Sequence, residues 1–543
     1  MDDILKDDQW LGVTLKSQGP GGPVMYLTWT ERVQTCAHRY VHKGPDFQWG
    51  QGICYSLSQY LDLRRAWEPC HNRPVTKAHE QFGYCQAGTS GDISEDANIV
   101  IGAPGPYTWR GTVFTNSIHF RMRDDKTWNL GPLLDDVAPV DKYSYLGMSV
   151  TSGRFFKGEM NFVGGAPRAN GTGQVVFFRK QLSDSTFEVV HVLNGEQFAS
   201  SFGYTLTSLD LNNDSLVDLV VGAPFYYAKG EGGAVYIYLN SPEGLVLPPI
   251  KLTGKVESRF GFSMSTLGDI NKDGYTDLAI GAPYEGSGAV YVYLGSPEGI
   301  ITEPSQVLRV EDLPKFTRSY VTTFGYSLSG GLDLDNNTYP DLLVGAFQND
   351  TVLLIRSRPI IDITTSVEGD LTNIDPTQPG CAMDPNSTLV CFSFEACFTL
   401  ASGVVNGPVR LRYHIEAEPG RKVSRVKFAG SLHTDTPHVL DREVTLRHRS
   451  RHCSRELAYL KEKSDIQHPV AMMLSYSLLQ KEPRMPLDGE PLPDLGRFPI
   501  LNRREALRRF EAKFLKDCGS DEICESNLHL RAELDLPRYT LPY

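Results

Sequence analysis

The segment "DLNNDSLVDLVVGAP" (210–224) sets Asp210, Asn212, Asp214 and Asp218 at positions 1, 3, 5 and 9 of a short loop, just ahead of an apolar run. The spacing returns with Asp269, Asn271, Asp273 and Asp277, and again with Asp333, Asp335, Asn337 and Asp341. At position 7 of each loop, Leu216, Tyr275 or Tyr339 offers a main-chain carbonyl. Hard oxygen donors on a pliant loop suit Ca²⁺ better than Mg²⁺, which keeps its waters and demands a tight octahedron. The three carboxylates of each loop carry a formal charge of −3 and repel one another without a cation.

An EF-hand needs Gly at loop position 6, a bidentate Glu at position 12 and a helix on either side. Position 6 here is Ser215, Gly274 or Thr338, and position 12 is Val221, Ile280 or Val344, inside β-rich runs. The loops therefore read as strand connections pinned by a structural ion, with calcium sensing as the alternative. No His-rich cage, Gly-x-Ser-x-Gly elbow or spare ligand set accompanies them, which points away from an enzyme.

The elements around the loops repeat. An aromatic residue or Leu followed by Gly leads, through a β-rich stretch, to Gly-Ala-Pro or its remnant: Phe82 to Pro104, Leu146 to Pro167, Phe202 to Pro224, Phe260 to Pro283 and Phe324 to Phe347. The two glycines lie 19, 18, 19, 20 and 20 residues apart, and successive copies step by 64, 56, 58 and 64, room for four short strands each. A four-stranded sheet cannot bury both faces alone, so such units stack radially as propeller blades. A degenerate copy opens the chain, with Leu11-Gly12 and Cys36-Ala37-His38 at a spacing of 24; Pro23–Arg32 lengthens it and is expected to interrupt a strand, as an insertion or a splice or gene-model error.

Composition narrows the class. A hydrophobic fraction of 41% across 543 residues supports two or three cored domains, and a net charge of −12 argues against nucleic-acid binding. The basic stretch Arg447–Arg455 reads as a solvated loop. Ten cysteines fall into Cys36 with Cys54, Cys70 with Cys85, Cys381 with Cys391, Cys518 with Cys524, and the longer pair Cys397 with Cys453. None forms a zinc pattern, so disulfides of an oxidising compartment are expected. Asn170, Asn349 and Asn386 head glycosylation sequons; those at Asn213 and Asn336 fall inside the acidic loops, where a glycan would block the metal. The acidic start is no signal peptide and no apolar run reaches eighteen residues, so an oxidised, glycosylated chain is expected to lack both its ends.

Phe-Gly/Gly-Ala-Pro repeats with β-type calcium loops in the last three copies resemble an integrin α subunit over nearly the whole chain. "WLGVTLKSQGPGG", "TCAHRY", "GAPGPYTWRG" and "SYLGMSV…GGAPRAN" are most similar to the laminin-binding branch. The resemblance implies an all-β architecture: a seven-bladed propeller over 1–356 with its first blade largely missing, and a thigh-like β-sandwich over 357–517 with Cys381–Cys391 and Cys397–Cys453 bridges. Residues 518–543 would hold the knee loop, Cys518 to Cys524 with Asp521 as a calcium ligand, and the start of a truncated domain. Only 41 residues separate Tyr40 from Phe82, too few for an inserted ligand-binding domain.

The resemblance also places the calcium loops on the lower face. The upper face would grip extracellular matrix, laminin above all, together with a β subunit at the cell surface. Tyr107, Trp109, Phe225, Tyr226 and Tyr284 are the aromatics expected in exposed loops there, in a cage for a basic β-subunit side chain. Ordinary blade packing is the alternative for each. The connection Asn116–Tyr145, with Asp124, Asp125, Asp135 and Asp136, would tune ligand choice or be plain solvated surface. The competing classes are a propeller-bearing phospholipase and a freestanding secreted calcium-binding propeller.

Overall fold

In the computed structural model the chain divides into two compact units, Met1–Ser357 and Arg358–Tyr543. The structure describes residues 4–5, 8–17, 32–44, 46–58, 60–118, 127–181, 184–313, 321–400, 408–431, 435–447, 450–463, 465–484, 490–502, 506–516 and 530–531. Among the described residues no helix is long and apolar enough to cross a membrane.

The first unit is a row of six antiparallel sheets in chain order, each a meander. The first sheet joins Thr14–Ser17, Arg32–Ala37, Ile53–Ser58 and Leu63–Trp67, and the second Ser90–Ile93, Asn98–Ala103, Thr112–Ser117 and Asn129–Leu130. The third holds Ser149–Phe155, Glu159–Ala166, Gln174–Arg179 and Glu188–Asn194; the fourth holds Thr205–Leu209, Asp218–Ala228, Glu231–Tyr238 and Ile250–Lys255. Ser263–Gly268, Asp277–Ala282, Ala289–Tyr293 and Gln306–Arg309 make the fifth, while the sixth has Phe324–Leu332, Asp341–Ala346 and Thr351–Ile355. A small sheet pairs Val41–Lys43 with Ile4–Leu5 and Gln48–Gly50.

Second strands of the inner sheets are flanked by neighbouring sheets on both faces, which is why they read as unbroken apolar runs: every residue of Asn98–Ala103 and of Asp277–Ala282 is buried. The repeat glycines make the seams between sheets. Gly203 has φ +87°, a left-handed conformation that costs a side chain dearly, and its carbonyl oxygen would lie 2.0 Å from a Cβ added to Gly165 of the preceding sheet. The preceding Phe202 is buried and meets Tyr236 edge-on at 5.3 Å.

The second sheet departs from the repeat reading. Its seam glycine is Gly88, not Gly83: Gly88 has φ +92° and donates to the Gly102 carbonyl at 2.9 Å, as Gly147 does to Gly165 at 3.0 Å. Phe82-Gly83 matches the motif in letters only, because the seam requires a left-handed glycine just before the inner strand. Phe82 is buried instead beside Tyr107. The degenerate first copy keeps the pattern, with Gly12 donating to the Cys36 carbonyl at 2.9 Å. Thr14 pairs with Cys36 and Ser17 with Val33, and Arg32 is the first residue of the second strand, while the rest of the expected interruption over Pro23–Arg32 falls outside the described residues. Residues 18–31 themselves lie outside the described set.

The second unit is two stacked four-stranded sheets. One carries Ile363–Gly369, Cys391–Leu400, Arg451–Leu460 and Val426–Phe428; the other carries Val439–Leu446, Val409–Ala417, Val470–Leu478 and Leu507–Ala512. Along Val409–Ala417 the odd-numbered side chains are buried and the rest are not, the alternation of a sheet with one face on a core. Phe392, Phe394, Phe398, Leu411, Tyr413, Ile415 and Leu474 fill that core.

Candidate metal loops and aromatic face

Each acidic loop joins the first two strands of its sheet. In the fourth sheet Leu209 pairs with Asp218 at the loop end, and Thr205 pairs with Gly222 at the other. Four residues of strand separate the loop from the Gly-Ala-Pro end, roughly 14 Å at 3.4 Å per residue. No helix flanks any of the three loops.

The three loops share one hydrogen-bond plan. Asp210 Oδ1 and Oδ2 accept the Asp214 and Ser215 amides at 3.2 and 2.9 Å, and Asp214 Oδ1 accepts the Leu216 amide at 2.8 Å. Asp218 is buried, and its two oxygens take the Leu211 and Asn240 amides at 2.9 and 2.8 Å. Asp269, Asp273 and Asp277 repeat these contacts with Asp273, Gly274, Tyr275, Ile270 and Gly295. Asp333, Asn337 and Asp341 repeat them with Asn337, Thr338, Tyr339, Leu334 and Ser357. Position 6 is left-handed throughout: φ is +68° at Ser215, +94° at Gly274 and +75° at Thr338. The bend thus favours glycine even where the sequence has none.

This set could hold a hard cation. Asn212 Oδ1 is buried with no hydrogen-bond partner, an acceptor left open inside the first loop. Asp333, Asp335 and Asp341 bring carboxylate oxygens within 4.8 Å of one another. A bound divalent cation would supply charge neutralisation and no reaction chemistry. Burial pushes the Asp218 carboxyl up to about 6 and the Asp277 carboxyl up to about 7; backbone amide donors oppose the shift, and the neighbouring loop aspartates add to it. Asp341 is raised for the same leading reason. In the third loop Asp335 also faces Arg356, whose Nε lies 2.7 Å from Oδ2, so an internal cation already meets part of that charge. The corresponding turn of the second sheet lacks the 1, 3, 5, 9 donor spacing: Ser94 and Asn98 close it on each other, Asp96 accepts from the Ser94 hydroxyl, and Lys180 Nζ lies 2.6 Å from Asn98 Oδ1.

The predicted aromatics divide. Phe225 and Tyr284 are exposed, at 40% and 45%. Arg259 lies over Phe225 at 4.1 Å, and Lys251 over the half-buried Tyr226 at 3.9 Å, so both rings already carry cations from this chain. Tyr107 and Trp109 do not sit in an open loop. They belong to the single turn Pro106–Trp109, both are half-buried, and Tyr107 packs on Phe82. Trp109 lies parallel to His79, Tyr84 and Tyr143 at 5.8, 6.5 and 6.2 Å. A second aromatic row was not anticipated: Tyr204, Phe262 and Tyr326 follow the seam glycines and link Phe225, Tyr284 and Phe347 across three sheets. Its signal was available, an aromatic residue directly after Phe-Gly in the last three copies.

Asn116–Tyr145 is not one connection, since Asn116 and Ser117 end one strand and Asn129–Leu130 forms the next. Asp135 pairs with the buried guanidinium of Arg110 and with Lys142, which hold its carboxyl below the usual range, while Asp136 is exposed. Asp124 and Asp125 lie outside the described residues, as do Asp521, Cys518 and Cys524. Disulfides join Cys36 to Cys54, Cys70 to Cys85, Cys381 to Cys391 and Cys397 to Cys453. Asn170, Asn349 and Asn386 are exposed, and Asn349 Oδ1 accepts from the Thr322 amide at 2.8 Å.

Residues 357–517 match the family Integrin alpha Ig-like domain 1, and residues 202–238 and 260–293 match the FG-GAP repeat. Rat integrin alpha-7 is 39% identical over 97% of this chain and 47% of its own length. Chicken integrin alpha-6 is 38% identical over 97% and 50%, and integrin alpha-3 of Cricetulus griseus 35% identical over 97% and 48%. The chain thus spans about half the length of the curated relatives it matches.

Proposed function

This chain belongs to the integrin α-subunit family, and on that premise we propose that it forms the propeller head and thigh of a non-catalytic adhesion receptor at the cell surface. In this reading it pairs with a β subunit, binds extracellular matrix, laminin above all, and signals by conformational change. The three acidic loops hold Ca²⁺ through the side chains at positions 1, 3, 5 and 9 and the carbonyl at position 7. Asp521 would serve a further site at the knee.

The observation that carries this reading is the separation of roles along each sheet. Oxygen donors crowd one end of the strands, while exposed Phe225 and Tyr284 and the stacked Trp109 crowd the other. A cation at the loops then stiffens the sheets without touching matrix or partner. Exposed rings with cations such as Arg259 laid over them are the kind of surface a large protein partner takes up.

The test is co-secretion of this chain with an integrin β-subunit ectodomain, followed by size exclusion and binding to immobilised laminin, collagen and fibronectin. A 1:1 complex that retains laminin alone in a cation-dependent way supports the reading. Secretion without any complex, or equal retention on all three matrices, overturns it.

A further inference from the structure

Away from the acidic loops, three side chains from two segments converge on one point of the first unit. His42 comes from the strand Val41–Lys43, Glu68 follows the strand Leu63–Trp67, and His71 follows Cys70. His42 Nε2 lies 2.9 Å and His71 Nδ1 3.8 Å from the same oxygen, Glu68 Oε2, and all three ligand atoms fall within 4.8 Å of one another. The two imidazoles face each other at 5.2 Å with 31° between their planes.

We propose that His42, Glu68 and His71 form a zinc site. Two imidazole nitrogens and one carboxylate are borderline donors that suit Zn²⁺ and serve Ca²⁺ or Mg²⁺ poorly, so this site is chemically distinct from the all-oxygen loops. With bonds of about 2.0–2.2 Å, a tetrahedral zinc ion spaces its donors roughly 3.3 Å apart. The observed 2.9 and 3.8 Å bracket that value, and small side-chain rotations open the place for the ion. Water takes the fourth position, because the side chains of His42 and His71 remain 23% and 33% exposed above a Glu68 side chain at 5%.

The scaffold is rigid where a metal site needs it to be. The disulfide Cys70–Cys85 fixes the segment that carries Glu68 and His71. Gln51 Nε2 donates to the Cys70 carbonyl at 3.0 Å, Arg73 Nε to the Pro69 carbonyl at 2.7 Å, and the His71 amide to the Glu68 carbonyl at 3.0 Å. Tyr40 meets the His42 ring edge-on at 5.2 Å and limits its rotation. The site adjoins the aromatic face: Val41–Lys43 pairs with Gln48–Gly50, whose Trp49 packs on Tyr84 at 5.9 Å.

The test titrates the full 543-residue chain with zinc chloride in saturating calcium, which keeps zinc off the acidic loops, and follows the heat released. A cobalt titration in parallel reads the visible bands of a four-coordinate ion. The expected result is one equivalent of zinc per chain with tetrahedral cobalt bands. His42→Ala and His71→Ala each weaken uptake by at least about tenfold, while His452→Ala, on an exposed strand of the second unit, leaves it intact. His71 is the more exposed of the two, so its variant keeps the question open to test should His42→Ala fail to fold. No zinc uptake by the parent chain, or uptake unchanged in the folded histidine variants, overturns the site and leaves a plain ion pair.

Discussion

The hydroxyl of Ser149 donates a 2.8 Å hydrogen bond to the carbonyl of Gly203 in the next sheet. The contact recurs at every described seam: Thr14 to Gly88, Ser90 to Gly147, Thr205 to Gly261 and Ser263 to Gly325, at 3.2, 2.8, 2.7 and 2.7 Å. A hydroxyl two residues beyond one seam glycine thus fastens the seam glycine of the following sheet.

Ser149→Ala should therefore cost about 1 kcal/mol, the net value of one hydrogen bond, because it leaves the Gly203 carbonyl short of a donor. Gly165→Ala should be far worse, since its methyl would stand 2.0 Å from that carbonyl oxygen and backbone cannot retreat. Thermal unfolding followed by circular dichroism separates them: a shift of a few degrees for the serine variant, and no folded first unit for the glycine variant. Equal effects would refute the seam account.

Chelating calcium should lower the melting temperature of the first unit and leave the second unmoved, because the three described loops all belong to the first. Changing Asp210, Asp269 and Asp333 together to Ala should erase that difference. Calcium protection that survives the triple change would mean the ligands lie elsewhere.

The response to calcium should shrink on acidification. Asp277 and Asp218 titrate near 7 and 6 when folded, against about 3.8 in the unfolded chain. A folded carboxyl that holds its proton more tightly than the unfolded one loses stability as it ionises, so the ion-free unit should gain stability as pH falls from 7 towards 5. Calcium must displace those protons, so its increment in melting temperature should be larger at pH 7.5 than at pH 5.5. Scanning both pH values with and without calcium checks both signs.

Arg356→Gln should mark the third loop as different. Losing the guanidinium beside Asp335 leaves the loop's −3 unopposed, so the ion-free protein should melt lower and the calcium increment should grow. The same measurement on Lys272→Gln gives the comparison, since no ion pair ties Lys272 to its loop among the described residues.

Trp109→Ala should weaken association with a β subunit by at least about tenfold while shifting the melting temperature little, because the ring lies against His79, Tyr84 and Tyr143 and outside the buried clusters between sheets. Surface binding to the captured partner reads the first effect and calorimetry the second.

The repeat was legible because main-chain contact admits no side chain, and that demand appears as glycine at fixed distances. It misled at Phe82-Gly83, where spacing matched but the backbone did not turn left-handed; Gly88 follows Ala87 and carries no aromatic flag. The donor pattern of the loops was visible as letters, whereas the left-handed bend at Ser215 and Thr338 was hidden by residues that pay for it in strain. Arg356 beside Asp335, and Arg110 beside Asp135, involve partners 21 and 25 residues away that no local pattern announces. His42 and His71 looked scattered for the same reason: a disulfide and a strand pairing bring them together.

A joint formed by a carbonyl, an α-carbon and one small hydroxyl has no bulky group whose replacement could pry it apart. Outer strands and rim loops can therefore exchange residues freely while the hub keeps its geometry, so a new ligand preference can be fitted to this head without rebuilding what turns the chain from one sheet into the next.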